Sequence, residues 1–339
     1  MLRVFNRYTK NQAVIFMMHR FFDPLINFTP LDDQCFLSPN TLDDCLKYLI
    51  KNDYTILSFK DLIQATHEHQ PLYKTVCFTI DDGYVDFKNV AFPFFKKYNL
   101  PATVFITTDF IEGNLTMWWD LVEYLIINTN LQKTNIVYKN ISLRLPLQSR
   151  KKKQIALTLV LQKLKLLPLP EILIFLQYFS KRLNVALPDK PPKEYRALHW
   201  NDILEMEKHG INFQPHTVTH PILSRINITD QKWQIKMSTE TLKKKITSDP
   251  TIFCYPNGKF GDYTEKTISI LKEEKFIAAC TTEPNVLNQT STNLFQIPRF
   301  AFPNNYYKYT LYVSGCKALQ LAIKKKITHT LRHCWPKPS

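Results

Sequence analysis

Four polar side chains in this sequence have the types and spacing of a metal site that activates water. Asp81 and Asp82 directly follow one predicted strand, and His216 and His220 follow another. Taken alone, an Asp-Asp-Gly sequence is typical of a turn, and two histidines four residues apart are an incomplete ligand set. At one edge of a sheet, two histidines and one carboxylate would form an open metal site. The second carboxylate would then serve as a general base toward a water molecule.

These groups need parallel strands to bring them together, and the sequence has the required rhythm. Short β-rich apolar runs alternate with helical patterns, which is typical of a parallel sheet covered by helices. The predicted strands cover residues 13–18, 54–57, 75–80, 102–107, 211–214, 251–255, 276–281 and 295–299. The predicted helices cover 41–51, 59–67, 86–98, 118–129, 152–166, 171–183, 201–209, 230–247, 264–274 and 316–332. This order predicts an α/β fold, a distorted (β/α) barrel of about seven or eight parallel strands with a helical insertion.

The 339-residue chain has a formal charge of +15 that is unevenly distributed. Residues 131–196 interrupt the strand–helix rhythm and hold 14 basic residues, and residues 317–339 hold six basic and no acidic residues. We therefore predict a barrel over 1–130 and 197–316, a basic and mostly helical insertion over 131–196, and a basic C-terminal helix or tail. Both basic segments fit either solvated helix faces or contact with an anionic membrane or glycan, and no nucleic-acid partner is expected.

Cysteine usage and hydropathy indicate the compartment. The seven cysteines show no CxxC spacing, which favours reduced thiols over disulfides or a zinc finger. The apolar run near the N-terminus is shorter than a signal sequence needs, and no segment reaches about 18 uncharged apolar residues. We therefore expect a cytoplasmic enzyme, either free or peripheral at the inner face of the membrane.

The chemistry-bearing residues lie in segments that resemble a known family. The runs Phe78-Thr79-Ile80-Asp81-Asp82-Gly83-Tyr84 and His216-Thr217-Val218-Thr219-His220 are similar to motifs of the polysaccharide deacetylases, the NodB-homology type of carbohydrate esterase family 4. Further stretches that resemble the family are 100–107, 199–210 and 253–258. The resemblance extends from about residue 11 to residue 303 and weakens through 131–196. It implies a carbohydrate deacetylase built on a barrel of the predicted kind.

The resemblance implies a role for each residue of the two motifs. Asp81 takes the position of the base, whereas Asp82, His216 and His220 take the positions of the metal ligands. Zinc is the expected ion, although two histidines and one aspartate also suit other divalent metals. The implied reaction is hydrolysis of an N-acetyl, or in some members an O-acetyl, group on a sugar. A third motif would supply the substrate contacts and a backbone N–H for the oxyanion, through Tyr255, Asn257 and Gly258.

Two departures from the family pattern affect these roles. The third motif usually opens with an arginine that orients the base, and Cys254 occupies that position here. Arg299, at the end of the last predicted strand, is the candidate substitute. The usual late histidine, which carries the general acid, is also missing. His19, at the end of the first predicted strand, resembles the early Tyr-His motif of a permuted branch and is the candidate acid; the alternative is an ordinary strand-end histidine.

Three tryptophans and two alternative functions complete the sequence-based predictions. Trp118 and Trp119 fit either a sugar-stacking wall or the core, and Trp200 fits a core or interface anchor better. One alternative function is removal of another acyl group, such as formyl, from a lipid-linked amino sugar, which the basic segments favour. The other is carbohydrate binding without turnover, which the missing arginine and late histidine favour. The expected partners are an acetylated amino-sugar glycan or a lipid-linked sugar, with membrane contact through 131–196 and 317–339.

Overall fold

The computed structural model describes residues 11–32 and 35–321. Its strands are β1 (Gln12–Met18), β2 (Arg20–Phe21), β3 (Phe36–Leu37), β4 (Thr55–Leu57), β5 (Thr75–Asp82), β6 (Ala102–Ile106), β7 (Lys133–Tyr138), β8 (Ile141–Pro146), β9 (Ile211–Pro215), β10 (Ile252–Cys254), β11 (Ala278–Cys280), β12 (Leu287–Asn288) and β13 (Phe300–Ala301). Its helices are α1 (Pro39–Lys51), α2 (Phe59–His67), α3 (Phe92–Lys97), α4 (Thr108–Ile111), α5 (Trp118–Asn128), α6 (Arg150–Leu164), α7 (Leu169–Leu183), α8 (Trp200–Glu207), α9 (Ile228–Lys245), α10 (Glu265–Glu273) and α11 (Tyr306–Val313). The predicted C-terminal helix or tail lies outside the described residues from position 322 onward.

A parallel sheet of buried strands forms the centre of the molecule. β1, β5, β6 and β9 are neighbours in that order, with Phe16 opposite Phe78 and Ile80 opposite Val104 in the ladders. All eight residues of β5 are buried, which explains why this strand is a nearly continuous apolar run. Because the strands are parallel, their carboxyl ends meet at one edge of the sheet.

The ring of strands is interrupted at one place. β10 and β11 pair with each other, Cys280 of β11 bridges to Ile297, and β13 pairs with β1. Among the described residues no ladder joins β9 to β10; instead, the amide of Ile252 donates a hydrogen bond to Oε1 of Gln214 at 2.8 Å. The α/β class with parallel strands and outer helices is confirmed, and this interruption is the distortion of the expected barrel.

Seven of the eight predicted strands are present within two residues of their expected bounds. The exception is the predicted strand 295–299, which is reduced to the single bridge at Ile297 before pairing resumes in β13. Pro298 explains the difference, because proline has no N–H to donate to a ladder. No helix in the described part of the chain is both long enough and apolar enough to cross a membrane.

Residues 133–183 form a packing unit of their own beside the barrel. β7 and β8 pair as an antiparallel hairpin, and α6 and α7 pack against it. Together with α5, these elements enclose a separate hydrophobic core in which Val160 and Phe175 are fully buried. The two helices match the prediction for this segment, but the hairpin is absent from it. The domain limits at 131 and 196 stay a prediction.

Candidate active site

The candidate site residues come from strand ends that are far apart in the sequence. His19 directly follows β1, and Asp81 and Asp82 are the last two residues of β5. His216 directly follows β9, and His220 lies four residues further on. The other candidates are Tyr255, Asn257 and Gly258, which follow β10, and Arg299, which precedes β13. The parallel arrangement of the strands explains why they converge.

Left-handed backbone turns carry the first two motifs. Asp82 has φ of +76° and Gly83 has φ of +97°. A Cβ atom at Gly83 would lie 2.9 Å from Cδ1 of Ile111, so glycine is required for space as well as for conformation. In the second motif Thr217 has φ of +69° and His220 has φ of +57°. Such backbone costs of order 1–3 kcal/mol at a residue other than glycine, and it concentrates at functional sites.

Asp82, His216 and His220 form a cluster with the spacing of metal ligands. Oδ1 of Asp82 lies 3.7 Å from Nε2 of His216 and 3.5 Å from Nε2 of His220. Ligand atoms on one tetrahedral ion, with bonds of roughly 2.1 Å, are about 3.4 Å apart, so the cluster is close to a ligating arrangement. Nδ1 of His216 donates to the carbonyl oxygen of Cys254 at 2.8 Å, which leaves its Nε2 as a lone-pair donor toward a metal.

The polar atoms of this cluster fit a divalent cation. Within the described residues, Oδ1 of Asp82 and Nδ1 of His220 are buried without a hydrogen-bond partner. Burial, reinforced by the charge of Asp81, raises the pKa of Asp82 well above its usual value. Burial also lowers the pKa of His216 to about 4 and that of His220 well below its usual value, so both rings are neutral near pH 7. Neutral imidazoles and a carboxylate with an uncompensated charge are the forms that a metal ion stabilises.

Asp81 is the opposite case, because its charge is already balanced. Arg299 donates from Nη1 to Oδ1 and from Nη2 to Oδ2 of Asp81, both at 2.7 Å. Burial raises the pKa of Asp81, but the Arg299 guanidinium outweighs burial and holds this pKa below its usual range. Arg299 is fully buried and also donates to the carbonyl of Thr281 at 2.9 Å and to the hydroxyl of Thr79 at 2.8 Å. A guanidinium therefore contacts Asp81 even though the third motif lacks its arginine.

Cys254 and His19 are the other polar neighbours of Asp81. Sγ of Cys254 accepts a hydrogen bond from Nη2 of Arg299 at 3.0 Å and lies 3.6 Å from Oδ2 of Asp81. Burial raises the pKa of the Cys254 thiol well above its usual value, so the thiol stays protonated and donates to Asp81. Nε2 of His19 lies 3.8 Å from the same Oδ2, and the His19 side chain is 30% exposed. Burial lowers the pKa of His19, although Asp81 opposes this shift.

The loop after β10 is a tight turn. Asn257 and Gly258 have φ of +59° and +63°, and a Cβ atom at Gly258 would lie 2.9 Å from the carbonyl oxygen of Tyr255. The amides of Tyr255 and Gly258 both donate hydrogen bonds to backbone carbonyls. The amide of Asn257 therefore lies between two amides that are engaged in backbone hydrogen bonds. The ring of Tyr255 stacks on that of Tyr263, with 4.0 Å between centroids. The third motif is thus rigid around the position predicted to bind the oxyanion.

A cavity of about 450 Å³ brings most of these residues together. The candidates in its wall are His19, Asp81, Asp82, His216, His220, Tyr255 and Asn257. Arg299 and Gly258 are not part of the wall. Arg299 contacts Asp81, and Gly258 shapes the turn at Asn257. One cavity therefore combines the metal-ligand cluster with a balanced carboxylate and a partly exposed imidazole.

The tryptophans divide between this cavity and the barrel surface. Trp118 and Trp119 both line the cavity, and the Trp119 ring lies 4.9 Å from the His220 ring between centroids. Trp200 lies elsewhere, because its Nε1 donates to Glu112 at 3.0 Å and its ring packs against the main core. The structure thus places the pair that the sequence left undecided in the wall of the cavity that holds Asp81 and Asp82.

A series of hydrogen-bonded, mostly buried polar side chains beside the cavity is absent from the sequence-based prediction. Nε1 of Trp119 donates to the Tyr84 hydroxyl at 2.9 Å, and that hydroxyl donates to Oδ2 of Asp120 at 2.7 Å. The guanidinium of Arg20 lies 3.9 Å from the centre of the Tyr84 ring and donates to Asp86 at 2.6 Å. Burial, opposed by Arg20, raises the pKa of Asp120 to about 7. The sequence could have indicated Arg20 and Tyr84, because Arg20 directly follows His19 and Tyr84 directly follows the Asp-Asp-Gly motif. No feature of the sequence indicates Asp120.

The chain matches a known family over two ranges of its sequence. A family model described as polysaccharide deacetylase matches residues 69–133 and 181–276. The gap between these ranges contains the hairpin, α6 and most of α7. The protein YxkH of Bacillus subtilis (strain 168), named as a polysaccharide deacetylase, is 21% identical over 245 residues, or 72% of this chain. The chain spans 58% of the length of that relative.

Solved structures of three proteins share the fold. The Streptococcus pyogenes deacetylase PplD, in complex with acetate, has a TM-score of 0.58 at 19% identity, covering 89% of this chain and 98% of PplD. A de-N-acetylase from Aggregatibacter actinomycetemcomitans has a TM-score of 0.55 at 15% identity, covering 89% of this chain and 99% of that protein. BC0361, a polysaccharide deacetylase from Bacillus cereus, has a TM-score of 0.54 at 18% identity, covering 90% and 69%. At these identities the likeness concerns the fold.

Proposed function

We propose that this chain, which belongs to the polysaccharide deacetylase family, hydrolyses the N-acetyl group of an amino sugar in a glycan or glycan precursor. The reaction would use a divalent metal, which is expected to be zinc. One observation carries the proposal: two adjacent aspartates have opposite surroundings in one cavity. Asp81 is balanced by Arg299, whereas Asp82 faces two neutral histidines without a compensating charge. These surroundings suit Asp81 to the role of a general base and Asp82 to the role of a metal ligand.

Asp82, His216 and His220 would hold the metal, and three protein ligands leave a coordination position open to substrate. When bound, the metal supplies a Lewis acid for the acetyl carbonyl and increases the acidity of the attacking water. The unpartnered Oδ1 of Asp82 supports this assignment, because it lies between the two imidazoles. The bond from His216 to the Cys254 carbonyl supports it as well, since it fixes the ring and its tautomer.

Proton movement would run from Asp81 to His19. Asp81 is ionised at neutral pH, because Arg299 lowers its pKa, and it accepts the proton of the attacking water. Nε2 of His19 lies 3.8 Å from Oδ2 of Asp81 and is neutral near pH 7, so it receives that proton rather than bringing one. His19 then delivers the proton to the leaving nitrogen as the amide bond breaks. Its partial exposure to the cavity supports this role.

The turn after β10 would stabilise the negative charge that develops on the acetyl oxygen. The amide of Asn257 is the proposed donor, and Gly258 permits the turn that presents it. Trp118 and Trp119 would form a wall against the sugar ring, since aromatic side chains offer a large flat apolar face. Trp119 also packs against His220, so this wall contacts the cluster of proposed metal ligands.

Bound metal and acetate release, measured in the same samples, test the proposal. We expect near-stoichiometric zinc on the purified native chain and acetate release from an N-acetylglucosamine oligomer. His216→Ala should lose both the metal and the activity. His67→Ala is the matched control, because His67 is exposed on α2, and it should leave both measurements unchanged.

Two other results would contradict this function. Metal binding without acetate release would contradict N-acetyl hydrolysis and favour formyl removal from a lipid-linked amino sugar, which formylated and lipid-linked substrates would then test. No metal on the native chain, even after zinc is added, would favour carbohydrate binding without turnover. The membrane contact through 131–196 and 317–339 and the cytoplasmic location stay predictions.

A further inference from the structure

A side cavity adjoins the catalytic cavity beside His220. It has a volume of about 50 Å³ and shares with the catalytic cavity the wall residues Trp118, Lys165, His220 and Asn257. His220 is a candidate metal ligand, and Asn257 is the candidate oxyanion residue. The two cavities therefore meet where the acyl carbonyl of a bound substrate would lie.

The wall of the side cavity is mainly apolar. Its apolar members include Leu167, Leu169, Ile172, Pro221, Ile222 and Ile226. The hydroxyl of Thr219 already accepts a hydrogen bond from Gln234 at 2.7 Å. Lys165 and Arg225 are the two charged residues of this wall; both are exposed as whole residues, and burial lowers the pKa of the Lys165 ammonium. A sugar ring would leave hydroxyl groups without partners against such a wall, which is costly, whereas an alkyl chain would not.

We propose that the side cavity binds the alkyl part of an N-acyl group longer than acetyl, so that the chain deacylates short-chain N-acyl amino sugars. The proposal rests on the proposed function and specifies its substrate class. In this reaction the oxygen of water bonds to the acyl carbon, the amide C–N bond breaks, and the leaving nitrogen takes up the proton. The products are a short-chain carboxylic acid and the free amino sugar.

The volume of the side cavity sets the chain length. A water-sized group needs roughly 10–15 Å³ of such volume, so about 50 Å³ accommodates roughly three to five groups. That number corresponds to the carbons beyond the carbonyl in butyryl to hexanoyl chains. Moving each methylene from water into an apolar environment is favourable, so an acyl chain that fills the cavity should bind more tightly than acetyl.

The alkyl wall and the catalytic residues come from different parts of the sequence. Leu167, Leu169 and Ile172 lie between the two ranges that the family model matches, whereas Asp82 and His216 lie inside them. The insertion therefore adds a wall to a catalytic cavity whose polar residues come from the barrel.

The test compares N-acetyl, N-propionyl, N-butyryl, N-hexanoyl and N-decanoyl glucosamine oligomers with the zinc-loaded full chain. Released amine is measured for all five, so that a single assay gives every kcat/KM. The native chain should act on butyryl at least as well as on acetyl and should fall off sharply by decanoyl. Ile222→Phe fills the cavity and should lower the butyryl-to-acetyl ratio by roughly 10-fold or more. Leu169→Ala enlarges the cavity and should move the preference toward hexanoyl.

Leu173→Phe is the matched control, because Leu173 is 45% exposed on the same helix, and it should leave the chain-length profile unchanged. Circular dichroism of each variant checks folding, and the two cavity variants give opposite shifts, so one of them suffices if the other fails to fold. A native chain that prefers acetyl strongly, or equal profiles in both cavity variants, would overturn the acyl assignment and leave the deacetylase standing. No amine from any substrate would instead count against the proposed function itself.

Discussion

The barrel mouth and residues 133–183, the proposed insertion, build the walls of the two adjoining cavities by different means. In the barrel mouth, polar side chains from separate strand ends are fixed by buried pairs, such as Arg299 with Asp81. The insertion brings apolar side chains from α6, α7 and their connecting turn, which are backed by a separate core around Phe175. The barrel therefore determines where charge lies, and the insertion determines the shape of the space beside it. If this division is correct, each region can be damaged without the other.

Arg299→Met is the most severe way to break the barrel side of this comparison. It leaves Asp81 as a buried unpaired charge, so we expect a loss of about 3–5 kcal/mol in the free energy of unfolding at pH 7. Acetate release should fall by roughly 10²–10⁴-fold, because the proposed base is no longer oriented. Urea unfolding and acetate release measure the two effects.

The pH dependence and a double variant control this prediction. Because Arg299 lowers the pKa of Asp81, the stabilisation is complete above the unfolded pKa of about 3.9 and is lost as pH falls toward the folded pKa. The native chain and Arg299→Met should therefore converge in stability in acid. Adding Asp81→Asn to Arg299→Met should restore much of the stability and none of the activity. A stable single variant would mean that the pair does not hold the barrel mouth.

Phe175→Ala should damage the insertion alone. Phe175 is fully buried in the second core, so its truncation should cost about 3–5 kcal/mol in the local stability of that region. Hydrogen exchange should accelerate in α6 and α7 and remain slow in β5. Zinc binding should stay within about twofold, since the proposed ligands belong to the barrel. Loss of zinc together with the insertion would show that the two regions are one cooperative unit.

Asp120→Asn acts on the pH dependence of stability and examines the point where the two regions meet. The pKa of Asp120 is raised to about 7 in the folded chain, above the unfolded value of about 3.9. The unfolded chain therefore loses this proton first, and stability falls between about pH 4 and pH 7, by at most about 1.4 kcal/mol per pH unit. The asparagine variant should flatten this part of a urea-unfolding series. An unchanged slope would show that Asp120 does not titrate in this range.

The sequence was most informative where one physical pattern dominates. Strands such as β5 are buried on both faces, so their apolar runs stand out, and polar residues directly after them mark the strand ends. This reasoning brought Asp81, Asp82, His216 and His220 to one place. The resemblance to the family indicated His19 and Arg299 as substitutes for its missing residues, and the structure places both beside Asp81.

The sequence was less informative where contacts depend on tertiary packing. The hairpin of β7 and β8 has short strands with one buried face, and the basic helices that follow obscure it. The hydrogen bonds from Trp119 to Tyr84 and from Tyr84 to Asp120 link side chains that share no local sequence pattern. The interruption between β9 and β10 was also not predictable, because whether two strands pair depends on their separation in space.

That interruption gives one metal-ligand candidate a second task. Two bonds to backbone atoms of β10 cross the junction: the Ile252 amide meets Gln214, and the Cys254 carbonyl meets His216. The imidazole that faces Asp82 on one side thus fastens two strands on the other. If a cation binds at the proposed site, the orientation of this ring is shared between the cation and the wall of the barrel. A chelator that removes the cation should then also loosen the place where the barrel lacks a ladder.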